Sequence, residues 1–290
     1  MTIQWYPGHM AKARREVATA IRWVDVVLEL VDARIPSASR NPVLGELIGD
    51  KPRLIVMTRD DLADPDVSRR WIGFFARQGG RAVAVDARSG RGLRGIGGAV
   101  RELAAPSVER WKKRGVRNRG VRVLILGIPN VGKSSLINRL AGRSAAKTGD
   151  LPGVTRAQQW IRTSEGFELL DTPGILWPKF EDPETGLLLA ATGAIKEEIL
   201  PLEDVAVFLF KRLQLTYPRA LAGRYGDLTG EPEDWLEQVG KGRGLLMAGG
   251  RVNVAAAAEL VCREFRTGRL GRISLEKPPD EAASEGVDKG

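Results

Sequence analysis

Gly127-Ile128-Pro129-Asn130-Val131-Gly132-Lys133-Ser134 is the stretch on which the reading of this chain turns. It matches the phosphate-loop pattern GxxxxGK[ST] over its full length. The apolar run RVLIL (residues 122–126) precedes it, and a helical pattern over 133–140 follows. Strand, loop and helix in that order are what the chemistry requires. Glycines let the backbone wrap a phosphate, and the N–H groups of Asn130, Val131, Gly132, Lys133, Ser134 and Ser135 are expected to point inward. The helix N-terminus adds partial positive charge. Lys133 is expected to reach the β- and γ-phosphates and Ser134 to ligate Mg²⁺.

Downstream, Asp171-Thr172-Pro173-Gly174 follows the run FELL (167–170). Asp171 is expected to hold Mg²⁺ through water, as the acidic partner of the phosphate loop. Gly174 can offer an N–H to the γ-phosphate and pivot when that phosphate leaves. Between the two motifs, residues 147–155 (KTGDLPGVT) form a polar, glycine-bearing stretch that reads as a switch loop. Thr155 is its candidate Mg²⁺ ligand and γ-phosphate sensor.

Upstream lie further apolar runs at 23–31 (WVDVVLELV), 53–57 (RLIVM) and 81–85 (RAVAV). Near-continuous apolar runs suit strands buried on both faces of a parallel sheet. A helical pattern at 66–78, with Val67, Trp71, Phe74 and Phe75 on one stripe, stops at Gly79 and Gly80. The alternation predicts an α/β, doubly wound, mostly parallel domain over residues 1–178. Helical patterns at 184–198, 202–215 and 252–267, without strong strands, predict a small all-α domain over 185–275. The Pro-, Glu-, Asp- and Gly-rich stretch 277–290 reads as a disordered tail.

A phosphate loop does not by itself distinguish ATP from GTP. The guanine-reading NKxD motif usually follows DTPG, and nothing like it does so here. Instead Thr58-Arg59-Asp60-Asp61 follows the run ending at Met57. Asp61 can accept two hydrogen bonds from the guanine N1–H and amino group, a donor pair adenine lacks. Thr58 could turn a hydroxyl toward the base, and the Arg59 stem could lie on the ring. Asp86-Ala87-Arg88, after the next run, resembles the SAK element, whose backbone N–H (here Ala87) meets the guanine O6. The expected order is therefore base, base, phosphate loop, switch, DTPG, a circular permutation that a parallel sheet tolerates if the new ends lie at the surface.

The formal charge of +9 and pI near 9.9 favour a polyanionic partner. Residues 110–122 hold seven basic residues (Arg110, Lys112, Lys113, Arg114, Arg117, Arg119, Arg122) and no acid, and Lys241, Arg243, Arg251, Arg263, Arg266, Arg269 and Arg272 gather near the last helix. Both are candidate RNA surfaces. The single cysteine, Cys262, excludes an intramolecular disulfide and a Cys-based zinc site, and its helical pattern suits burial. No apolar run is long enough to span a bilayer and the first ten residues lack a signal pattern, so a cytoplasmic protein is expected.

Trp5-Tyr6-Pro7-Gly8-His9-Met10-Ala11-Lys12-Ala13, Val31-Asp32-Ala33-Arg34-Ile35-Pro36, the phosphate loop, Pro152-Gly153-Val154-Thr155, DTPG and the stretch from Gly249-Gly250 to Gly271-Arg272 together resemble the YlqF/RbgA family of circularly permuted ribosome-biogenesis GTPases. The resemblance implies GTP hydrolysis coupled to late assembly of the large (50S) ribosomal subunit. It also implies a helical domain that contacts ribosomal RNA, and a protein expected to be a monomer away from the ribosome. The departures are Thr58 and Arg59, where the family usually has Asn and Lys. Ile175 stands where many GTPases carry a water-orienting glutamine, so His9, the only histidine, is the candidate catalytic group. Asn130 resembles GTPases that recruit K⁺. Two other readings stay open on the residues: an RNA- or protein-binding module with a vestigial nucleotide site, and an ATPase.

Overall fold

The computed structural model describes residues 7–116, 119–142, 160–170, 182–195 and 200–279, with side chains in the first helix from residue 14 onward. The chain divides into two compact units, Met1–Lys179 with Glu276–Gly290, and Phe180–Leu275.

The first unit is built on strands β1 (Val26–Asp32), β2 (Arg53–Thr58), β3 (Arg81–Ala84), β4 (Val121–Gly127), β5 (Trp160–Arg162) and β6 (Phe167–Leu170). They form one sheet in the order β3-β2-β1-β4-β6-β5, parallel except for β5. All seven residues of β1 are buried, as a strand covered on both faces requires. Two of the seven are acids: the Glu29 carboxylate is held by Arg40 (3.2 Å) and Arg53 (3.2 Å), and that of Asp32 by Arg34 (2.7 Å). Five strands coincide with the expected apolar runs to within a few residues. β5 has no such signature, because its three residues alternate exposed, buried, exposed.

Helices α1 (Pro7–Ile21), α2 (Pro42–Ile48), α3 (Pro65–Arg77), α4 (Leu93–Lys113) and α5 (Lys133–Ala141) accompany the sheet. Val17, Ala20 and Ile21 of α1 and Leu44 and Ile48 of α2 pack with Val27, Leu124, Leu126 and Leu170 of the strands. Trp71 and Phe75 of α3 pack with Val31, Ile55 and Met57. Local signals set two of these helix starts. Asn41 and Asp64 accept hydrogen bonds from first-turn N–H groups, and Pro42 and Pro65 follow them. The basic segment from residue 110 begins as the last turn of α4, where cations suit the helix dipole.

The second unit packs α6 (Pro183–Thr192), α8 (Pro218–Tyr225), α9 (Trp235–Gly242) and α10 (Val254–Arg266) around or beside α7 (Leu202–Thr216). Val205, Ala206, Leu209, Phe210 and Leu213 of α7 are buried, and Phe210 meets Trp235 and Tyr225 edge-on. Glu264 of α10 is buried, and its carboxylate accepts from Arg224 and from the Tyr225 hydroxyl (3.0 Å). Cys262 is buried. α8 and α9 were not anticipated, and α6 ends at Gly193, whose left-handed backbone stops the pattern expected to run to 198.

After the second unit the chain returns to the first at Glu276, one residue before the expected tail. The Glu276 carboxylate accepts from the N–H groups of Ser37 (2.7 Å) and Ala38 (3.0 Å), and its carbonyl accepts from the Trp71 indole (3.3 Å). The tail from 280 lies outside the described residues. No described helix is long and apolar enough to cross a membrane.

Candidate nucleotide site

The phosphate loop leaves the C-terminal end of β4, the middle of the sheet. Gly132 takes φ +101, and a Cβ on Gly127 would sit 3.0 Å from the Leu30 carbonyl oxygen, so only glycine fits both places without strain. Asn130 adopts the left-handed region (φ 55) without being glycine. Lys133 opens α5 and turns its ammonium back on its own loop, donating to the carbonyls of Gly127 (3.2 Å) and Ile128 (2.9 Å). Ser134 and Ser135 follow in the first turn of α5, half-buried and exposed respectively.

Thr58 ends β2, two strands from β4, yet touches the loop. Its hydroxyl lies 2.5 Å from the Val131 carbonyl oxygen and 3.0 Å from that of Val31. One proton is shared between those acceptors, so the hydroxyl anticipated to face a base is instead engaged inside the protein. Arg59 takes φ 55, which swings its side chain back over the loop, and Nη2 donates to the Asn130 carbonyl (2.7 Å). Its head therefore grips the loop. Behind it stands Asp32 (Nε to Oδ2, 3.9 Å).

Asp32 and Arg34 are a buried pair to which no role was assigned from sequence. Asp32 accepts from Arg34 at Nε (2.9 Å), Nη2 (2.7 Å) and the backbone N–H (3.0 Å). Burial alone would raise the Asp32 pKa. The charge and hydrogen bonds of Arg34, with Arg59 beyond, outweigh it and hold the carboxyl below its ordinary value. An acid closing a strand otherwise apolar but for Glu29, followed two residues later by an arginine, was the available signal.

The two base-reading candidates are also joined. The Asp60 N–H donates to the Val85 carbonyl (3.2 Å), and the Asp60 carboxylate pairs with Arg91 (2.6 Å). Asp61, half-buried, accepts no hydrogen bond among the described residues. Asp86 directs its carboxylate to the N–H groups of Arg88 (2.8 Å) and Ser89 (3.2 Å). It thus shapes the turn that carries Ala87 rather than facing outward. Burial would raise its pKa, but the Ser89 and Arg88 hydrogen bonds lower it on balance. Arg139 of α5 donates to the Ser89 carbonyl (3.1 Å), linking that turn to the phosphate-loop helix.

The switch stretch with Thr155, and Asp171, Gly174 and Ile175, lie outside the described residues. His9 falls in α1, and its side chain is not among those described. Helix α1 precedes β1 by four residues, and Val17, Ala20 and Ile21 in its second half pack with Val27 of β1, Leu124 and Leu126 of β4 and Leu170 of β6.

Residues 122–228 match the family described as 50S ribosome-binding GTPase. That match begins in β4, so Thr58–Asp61 fall outside it. Ribosome biogenesis GTPase A of Bacillus cereus is 50% identical over 97% of this chain and 95% of its own. The protein of the same name from Thermotoga maritima is 31% identical over 96% of this chain and 95% of its own. Among solved structures, GDP-bound TM YlqF superposes with a TM-score of 0.66 at 28% identity, covering 91% of this chain and 99% of that one. GNP-bound YlqF from T. maritima gives 0.63 at 28% identity over 92% and 99%. With a phosphate loop at the centre of the sheet, Thr58 and Arg59 bonded to it from upstream in the chain, and relatives matching over nearly its whole length, this chain belongs to the ribosome biogenesis GTPase A (YlqF/RbgA) family of GTPases.

Proposed function

We propose that this GTPase reads guanine with Asp61 and the Ala87 N–H, binds the triphosphate with the loop from Asn130 to Ser135, and uses hydrolysis to leave a maturing large ribosomal subunit. The observation that carries the reading is the pair of hydrogen bonds between base side and phosphate side: Thr58 to the Val131 carbonyl and Arg59 to the Asn130 carbonyl. It supports one ligand spanning the two segments. The carboxylate of Asp61 suits the guanine N1–H and amino group, and a purine without that donor pair would cover it and leave it unpaired.

On binding, Lys133 exchanges its contacts with the Gly127 and Ile128 carbonyls for β- and γ-phosphate oxygens. The donor set Ser134, Thr155 and Asp171 is all oxygen, the chemistry Mg²⁺ prefers, and Ser134 stands at the start of α5 beside Lys133. Mg²⁺ there would neutralise charge on the β- and γ-oxygens. Asn130, whose carbonyl Arg59 fixes, is the candidate for holding K⁺ near the same oxygens. Ile175 cannot orient water, so unassisted turnover is slow, and His9 orients or activates the attacking water once the ribosomal partner is bound. Gly174 and the stretch 147–155 respond to the γ-phosphate. DTPG lies just ahead of the second unit in the chain, so switch movement can pass to that unit. The basic surfaces contact ribosomal RNA. The protein acts in the cytoplasm as a monomer away from the ribosome.

GTP turnover measured with and without purified large subunits tests this. Stimulation by subunits, abolished in Lys133→Ala and strongly reduced in His9→Ala, is expected. Subunit binding that ignores the nucleotide, with no stimulated turnover, would instead support a binding module with a vestigial site.

A further inference from the structure

Strands β1, β2 and β4 are parallel, so their entry segments share the end of the sheet opposite the phosphate loop. Those segments are stitched together. Lys51, before β2, donates to the Val24 carbonyl (2.7 Å). Asp25, before β1, bonds the Arg122 backbone through its N–H (2.8 Å) and its carboxylate (2.9 Å), and lies 3.6 Å from the Arg119 guanidinium. That guanidinium sits 4.1 Å from the ring centre of Trp111, in the last turn of α4. Two residues before Asp25, Trp23 is 62% exposed.

One exposed aromatic would call for no explanation. This indole, however, has cations around it in the fold: Arg22 precedes it in sequence, Lys51 is bonded to the carbonyl of the next residue, Val24, and Arg114 caps α4, the helix that carries Trp111. A planar guanidinium on an indole and an open indole nearby are sequence-tolerant stacking surfaces for bases, and the cations suit a phosphate backbone. Duplex RNA would use the charge and leave the rings idle, because its bases are already stacked.

We propose that this end of the first unit is a stacking platform for unpaired RNA, with Trp23 and the Trp111–Arg119 pair taking bases and Arg22, Lys51 and Arg114 supplying positive charge. The proposal rests on the ribosomal reading above only for the class of partner. It deepens that reading for the basic segment at 110–122, at the end of the sheet opposite the phosphate loop, by naming the form of RNA and the aromatic groups that would take its bases.

The test is fluorescence anisotropy of the full-length protein with a labelled oligoadenylate of about 12 nucleotides and with an RNA duplex of the same length. Trp23→Ala should weaken oligoadenylate binding about tenfold and Trp23→Phe about twofold or less, with duplex affinity unchanged in both. GTP turnover without subunits should stay at the wild-type level, which shows the variants are folded. Wild-type affinity in Trp23→Ala, equal losses for duplex and single strand, or no oligoadenylate binding by the unmodified protein would each overturn the platform. Sedimentation of the unmodified protein with large subunits, run alongside, separates the two ideas. Failure to co-sediment in any nucleotide state sinks the ribosomal reading, while the oligoadenylate result still decides the platform.

Discussion

Thr58 and Arg59 are where this chain departs from the NK pair of its family, and both reach the phosphate loop by other means. A Thr58→Val exchange keeps the shape but strips the hydroxyl from the Val131 and Val31 carbonyls. It should lower stability by about 1–2 kcal/mol and weaken GDP binding roughly tenfold, read by thermal melting and calorimetric titration. Asp32 carries more risk. It neutralises the fully buried Arg34 through three hydrogen bonds. Asp32→Asn would leave that cation uncompensated and should cost about 3–5 kcal/mol in urea unfolding. The phosphate loop itself was legible from residue types alone. The tie from Arg59 to Asn130 was not, because it depends on two non-glycine residues entering the left-handed region, which no local pattern announces.

Elements buried on both faces were the easiest to read. The strands at 26–32 and 121–127 betray themselves because a parallel interior strand has no wet side, and all of β1 is buried. β5 escaped notice as a half-wet edge strand of three residues. α8 and α9 escaped because each is only eight residues long, set off by Pro218 and by the polar stretch 226–234. The turn between β3 and α4 holds two left-handed glycines, Gly90 and Gly92, and the second has the less room. Gly92 takes φ +84, and a Cβ there would run into the Ala84 carbonyl. Gly92→Ala should destabilise the first unit by about 2–3 kcal/mol and displace the Ala87 turn, lowering guanine affinity in the same titration. In the second unit, Phe210 fills the space between Tyr225 and Trp235. Phe210→Ala should cost about 3–5 kcal/mol in that unit's unfolding and leave GDP affinity unchanged.

Charge acts across both units. If the basic surfaces meet RNA phosphates, affinity for large subunits should fall by a hundredfold or more between about 50 and 200 mM salt, and a flat profile would remove the electrostatic argument. Acid should act through carboxylates held low in the fold. Hydrogen bonding from Arg224 outweighs burial and keeps Glu264 below its ordinary value, and Asp32 is likewise lowered. Their stabilisation is complete above the ordinary carboxylate range and is lost as pH falls through their depressed values. Melting temperature should therefore hold near neutrality and drop below about pH 4, the Glu264→Gln variant losing part of that dependence. Nucleotide recognition as proposed here requires one ligand reached from both sides, Asp61 at the purine and Lys133 at the phosphates. Calorimetric titration of Asp61→Asn with GDP and with xanthosine diphosphate tests this most directly. Xanthine presents a carbonyl where guanine presents an amino group, so an amide at residue 61 should weaken GDP at least tenfold and make the xanthine nucleotide the preferred ligand. Unchanged GDP affinity, or equal loss of both nucleotides in a folded protein, would contradict it.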